Sequence, residues 1–71
     1  MNKTQIKAVE SWLDDRFESA LHRDEEMGNA NGTDFLPHNP DYIYYKGAIK
    51  LLECAGFSWV RSSNGTHSVY K

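Results

Sequence analysis

This 71-residue chain is marked first by what it lacks: it has one cysteine, two prolines and no long apolar run. A lone Cys54 excludes an internal disulfide framework and any cysteine-rich zinc knuckle. No stretch approaches the roughly 18–20 apolar residues that a membrane span requires. The opening Met1-Asn2-Lys3-Thr4-Gln5 leads into a charged segment and not into an apolar signal core. A soluble, cytoplasmic protein without a membrane anchor is therefore expected. A strong charge of one sign is also missing. Eight basic residues stand against ten acidic ones, net −2, whereas a general nucleic-acid binder is usually basic. There is no internal repeat and no length for a second domain. A chain this short buries only about 60% of its unfolded surface. Its stability is accordingly small, and a homodimer or higher oligomer, or a partner surface, is expected.

What is present is an ordinary globular balance, 25% charged and 39% apolar, divided into three parts. Residues 4–27 read as an amphipathic helix, because Ile6, Val9, Leu13, Phe17, Ala20 and Leu21 recur at three- and four-residue spacing. Trp12 flanks that stripe. Asn2 or Thr4 is suited to cap the start, and Gly28 to accept the left-handed conformation just past the end. The opposite face carries Lys7, Asp14, Asp15, Glu18, His22 and Glu25, with Asp14 and Glu18 repelling at a spacing of four. Residues 28–39 form a loop that is long for so small a domain and rich in turn formers, Gly-Asn-Ala-Asn-Gly-Thr-Asp. Phe35 and Leu36 are expected to pin it to the core.

Asn39-Pro40-Asp41 is a helix start: a cap, a proline at the first helical position, and an acid at the positive end of the dipole. The helix predicted from it covers 40–55 and stops at Gly56. Tyr44, Tyr45, Ala48, Ile49, Leu51, Leu52 and Ala55 fall on one wide apolar arc, with Ile43, Gly47 and Cys54 on the other side. Gly47 in mid-helix costs about 1 kcal/mol against alanine, which predicts close approach by another backbone. Residues 57–70 read as a β-hairpin, since Asn64-Gly65 suits a type I′ turn with positive φ at both positions. That turn would set Arg61 opposite Ser68, Trp59 opposite Tyr70 and Val60 opposite Val69. A lone two-stranded hairpin is marginal in water, so it must lie on the helices or extend another chain's sheet. The expected fold is α+β, helix–loop–helix then hairpin (ααββ), in one domain of residues 1–71.

Four features bear on chemistry. The first is the run Ile49-Lys50-Leu51-Leu52-Glu53-Cys54-Ala55-Gly56-Phe57, followed by Val60-Arg61 and by Gly65-Thr66-His67-Ser68-Val69-Tyr70. Over about 22 residues this resembles the amino-terminal part of the HicA family of mRNA interferase toxins. The resemblance implies that His67 is a catalytic histidine held by the Gly65-Thr66 turn, acting as acid or base on a ribose 2′-hydroxyl near neutral pH. The plainer reading of the same residues is a hairpin with His67 half-exposed on a strand.

The second feature is Glu18 and His22 at a spacing of four, with Asp14 a turn earlier. This is a metal-compatible pair that Asp34 and His38 could extend, against the plainer reading of a solvated charged face. No metal and no cofactor are expected. The third is charge asymmetry. Residues 1–34 hold 8 acidic and 4 basic residues, a balance of −4, and residues 35–71 hold 2 acidic and 4 basic, a balance of +2. An acidic helix can compete with phosphates for a basic groove. The fourth is the crowding of Phe35, Tyr42, Tyr44, Tyr45, Phe57, Trp59 and Tyr70 beside Lys46, Lys50 and Arg61. Such a surface suits an interface or a stacked base, although several of these rings must serve the core. Cys54 has no arranged partners for nucleophilic work.

Together these features predict a small non-enzymatic binding protein of phage or prophage type. It would engage a host nucleic-acid-handling or defence protein and inhibit or modulate it. The expected contacts are Asp14, Asp15, Glu18 and Glu25 on the acidic face and Tyr42, Trp59, Arg61 and Tyr70 on the aromatic side. Direct binding of nucleic acid is not favoured. The alternatives are a HicA-like RNA-binding or RNA-cleaving module centred on His67, and a sponge for a nucleotide or other small ligand.

Overall fold

In the computed structural model, which describes residues 1–29 and 35–71, two helices are followed by a two-stranded antiparallel hairpin, an α+β arrangement. Helix α1 runs Lys3–Glu26. Asn2 is its cap: its side chain accepts from the Gln5 N–H at 2.8 Å, and the Gln5 side chain accepts from the Asn2 N–H at 2.8 Å. Gly28 takes φ +95°. The Gly28 and Asn29 amides then reach back to the carbonyls of Glu25 and Asp24, closing the helix end in a Schellman turn. Helix α2 runs Pro40–Cys54 and ends the same way, with Gly56 at φ +89° and Phe57 N–H donating to Leu52 C=O.

Asn39 does more than cap α2. Its Oδ1 accepts from the Asp41 and Tyr42 amides, and its Nδ2 donates to the Ala20 carbonyl and to Asp24 Oδ1 on α1. Asp24 is itself buried and takes a further bond from Leu36 N–H and one from the Asn29 side chain. The two helices and both described ends of the intervening loop are thus tied at one carboxylate. Positions 30–34 of the expected loop, including Asp34, lie outside the described residues.

The core joins Leu13 of α1, Tyr45, Ile49 and Leu52 of α2, and Val69 of the hairpin. Ile6, Val9, Phe17, Tyr42, Ala48, Phe57 and Trp59 pack around it. The expected apolar arc of α2 is wider than the part that is covered: Tyr44 is 64% and Leu51 72% exposed. On α1, Leu21 lies outside the core as well. No helix among the described residues is long and apolar enough to cross a membrane.

The hairpin corrects the expected register. Strand β1 is Ser58–Arg61 and β2 is His67–Tyr70, with Arg61 opposite His67, Val60 opposite Ser68, Trp59 opposite Val69 and Ser58 opposite Tyr70. The turn has three residues between its closing pair and not two. Ser62 N–H donates to Thr66 C=O, and Gly65 N–H donates to Ser62 C=O. Only Gly65 has positive φ, at +87°. Asn64 avoids the left-handed region and uses its side chain to accept from the Ser62 hydroxyl and the Thr66 amide. A turn needing one glycine at positive φ thus replaces one needing asparagine there too. The slip of one residue moves β2 to its other face. Trp59 therefore shares a face with Val69, and the expected Trp59–Tyr70 pair does not form.

Candidate functional site

His67, read from sequence as a half-exposed or catalytic residue, is the most enclosed polar ring in the chain. Its side chain is 0% exposed. Asp14 Oδ1 accepts from both the His67 backbone N–H, at 2.7 Å, and the ring Nδ1, at 2.8 Å. Nδ1 therefore carries a proton in this arrangement, and in the neutral ring Nε2 accepts the Tyr45 hydroxyl at 2.7 Å. Burial pushes the Tyr45 phenol above its ordinary range, and the hydrogen bond and charge of Arg61 oppose that rise. The result is a hydrogen-bonded chain, Asp14–His67–Tyr45, that joins α1, β2 and α2. Trp59 stacks along the imidazole at 6.2 Å, and Phe17 meets it edge-on at 5.8 Å.

Asp14, its side chain 37% exposed, serves the hairpin as well as the acidic face on which it was expected. It works with Glu10, whose carboxylate accepts the Val69 N–H at 2.8 Å. Two side chains four apart on a helix are about 6 Å apart along its axis. Alternate amides on a strand are about 6.6–6.8 Å apart. The carboxylates of α1 therefore match the outward amides of β2 and close that edge of the sheet. Sequence reading missed Glu10. The available signal was an acid pair at i and i+4 bordering the Val9–Leu13 stripe.

The other edge is open. Because Ser62 and Thr66 bond to each other, and His67 and Val69 turn their amides toward α1, the outward main-chain groups of β1 are those of Trp59 and Arg61. They have no hydrogen-bond partner among the described residues. Beside β1 and facing α2 lies a groove of about 570 Å³ lined by Phe35, Tyr42, Tyr45, Lys46, Gly47, Ile49, Lys50, Glu53, Trp59 and Arg61. Phe35 stacks on Tyr42 at 4.4 Å, and the Lys46 ammonium lies 5.3 Å from the Tyr42 ring. The Arg61 guanidinium covers Phe17 at 4.5 Å. Glu53, the one acid among the described residues of the wall, accepts the Trp59 indole N–H at 3.2 Å.

Of the expected contact residues, Tyr42, Trp59 and Arg61 come together in this groove. Asp15 and Glu18 are exposed along a shallower groove of about 540 Å³ that also holds Arg16, His22, Arg23 and Asp41, so its charge is mixed. Arg16 and Arg23 both pair with Asp41, at 3.8 and 3.2 Å. Glu25 is exposed near the end of α1, and Tyr70, 49% exposed, points from the opposite face of the hairpin. Glu18 and His22 are exposed, and no group of three or more His, Cys, Asp or Glu placed to hold a metal occurs among the described residues. Cys54 is an exposed free thiol. Gly47 does not meet another backbone among the described residues: a Cβ built there would touch none of them within 4 Å, and the position opens onto the groove. Comparison of the chain with protein-family models, with curated proteins and with solved structures finds no match.

Proposed function

We propose that this chain is a small non-enzymatic binding protein of phage or prophage accessory type. In the host cytoplasm it engages a nucleic-acid-handling or defence protein and inhibits or modulates it. The observation that carries the reading is the convergence of Tyr42, Trp59 and Arg61 with Lys46 and Lys50 on one open groove. Aromatic and arginine side chains of this kind are enriched where proteins meet. The exposed carboxylates Asp15, Glu18 and Glu25 supply a second, oppositely biased surface on α1. The test is affinity capture of the tagged chain from host lysate over a range of ionic strength, with the wild type beside a Tyr42→Ala/Arg61→Ala variant. The reading expects a partner retained by the wild type and reduced in the variant. Absence of any retained protein at every salt concentration counts against it.

A second reading draws on the same groove. Rings beside three cations also suit a nucleotide, stacked and held by its phosphates. Native mass spectrometry of the purified chain separates the two, since a ligand sponge retains a small molecule and the binding reading needs none. It also reports whether the chain associates with itself, the expected homo-oligomer. The HicA-like alternative requires the His67 ring to reach a ribose hydroxyl, whereas both its nitrogens are engaged and its side chain is enclosed. It is supported less well by this geometry. Its test is growth arrest on expression that persists in a folded chain and is lost on His67→Ala.

A further inference from the structure

We propose that the open edge of β1, with the groove beside it, takes up an extended acidic segment of a partner protein as a third strand. The inference rests on the binding reading above and specifies its mode and chemistry. The two edges of the sheet are treated differently. Glu10 and Asp14 consume the outward amides of β2, while the outward main-chain groups of Trp59 and Arg61 on β1 have no partner among the described residues. Unpaired strand edges are templates for strand addition, in which main-chain bonds give affinity and alternate side chains give selectivity.

The groove states what those side chains should be. Lys46 and Lys50, one helical turn apart on α2, and Arg61 on β1 bring three cations to it. The single acid among the described residues of the wall, Glu53, is occupied by the Trp59 indole. An added strand places every second side chain on the groove side, so acids there would meet the three cations. A second copy pairing through the same edge would instead bring Lys46, Lys50 and Arg61 of both chains together, like charge on like. Gly47 fits the same picture: a helix interior without a side chain, open to the groove, leaves room for a backbone to pass close to α2.

The experiment is an NMR titration of the whole chain with three capped peptides of about eight residues. One alternates Val and Glu, one alternates Val and Lys, and one is the Val–Glu peptide N-methylated at every second residue, made in both phases. Saturable binding of the Val–Glu peptide is expected, with hydrogen exchange at the Trp59 and Arg61 amides slowed at least tenfold. The Val–Lys peptide should bind at least tenfold more weakly, and one N-methyl phase should abolish binding. Lys46→Glu/Lys50→Glu, at two exposed positions, should weaken the Val–Glu peptide at least tenfold. The proposal is overturned by no saturable binding, by equal binding of the Val–Lys peptide, or by indifference to N-methylation. It is equally overturned if the Trp59 and Arg61 amides are already protected in a concentration-dependent dimer of the free chain. Running the wild type and the lysine double variant through the lysate capture separates the two levels. A partner held equally by both removes the strand-addition mode and keeps the binding reading, whereas no partner for either removes the binding reading itself.

Discussion

Asp14, His67 and Tyr45 come from three different elements and form one hydrogen-bonded chain, in which the imidazole and the phenol are buried and the carboxylate is partly exposed. The imidazole and the phenol are costly to leave without partners, because a buried polar group that loses its partner keeps its desolvation penalty. Tyr45→Phe keeps the ring and leaves His67 Nε2 without a donor. It is expected to destabilise the chain by about 1–3 kcal/mol, measured by urea unfolding. His67→Ala also opens a cavity and orphans the phenol, so a loss of about 2–5 kcal/mol is expected. That is a large share of what a small domain possesses. Loss of a growth phenotype on His67→Ala is therefore informative only beside Tyr45→Phe, which perturbs the same chain and leaves the imidazole in place.

At the scale of the element, two glycines make opposite demands. Gly65 closes the hairpin at φ +87°, and a Cβ there would come to 3.3 Å from the Phe17 ring. Gly65→Ala should cost at least about 1–2 kcal/mol from the left-handed backbone alone, with a lower Tm by calorimetry. Gly47 is helical and open. Gly47→Ala should stabilise α2 by up to about 1 kcal/mol, raising Tm by roughly 4–8 °C in a domain of this size. If the groove receives a passing backbone, the same substitution weakens partner capture while it strengthens the fold. That pairing of signs separates a functional glycine from a tolerated one. The elements themselves were legible from local chemistry. Asn2, Asn39-Pro40, Gly28 and Gly56 act through their own backbone and neighbours, and each sits where those properties require. The hairpin register was not legible, because Asn64-Gly65 is compatible with two turns. The deciding terms are the Asn64 side chain's bonds to Ser62 and Thr66 and the burial of Val69 and His67 against the helices.

For the whole molecule, Asp24 governs how the fold answers to acid. Its burial raises the carboxyl, but bonds from the Asn39 side chain, the Leu36 amide and the Asn29 side chain, with His38 nearby, together hold it below its ordinary value of 3.8. The ionised form is therefore the one that the fold stabilises. That contribution is complete above the unfolded value and is lost as pH falls through the lower folded value. Asp24→Asn should be less stable than the wild type at neutral pH, and the gap should close progressively below about pH 4, followed by fluorescence of Trp12 and Trp59 in urea.

The sequence by itself determined the two helices, their caps, the hairpin and the α+β order, since these follow from periodicity and from residues acting on their own backbone. It also marked Tyr42, Trp59 and Arg61 as candidates by type. Only the tertiary structure decided which polar groups are spent on the fold and which are left over. Asp14 reads as surface charge and is also a strand-edge acceptor. His67 looked half-exposed and is enclosed. Glu10 and Asp24 carried no motif and hold elements together. The physical reason is that a carboxylate or an imidazole has the same local signature whether it faces water or a buried amide. The difference lies in partners that sit 53 to 59 residues away for the Asp14–His67 and Glu10–Val69 contacts. The scarcity of cysteine and of net charge narrowed the functions expected, and the closing of one sheet edge while the other stays open among the described residues is what supports strand addition as the proposed mode of binding.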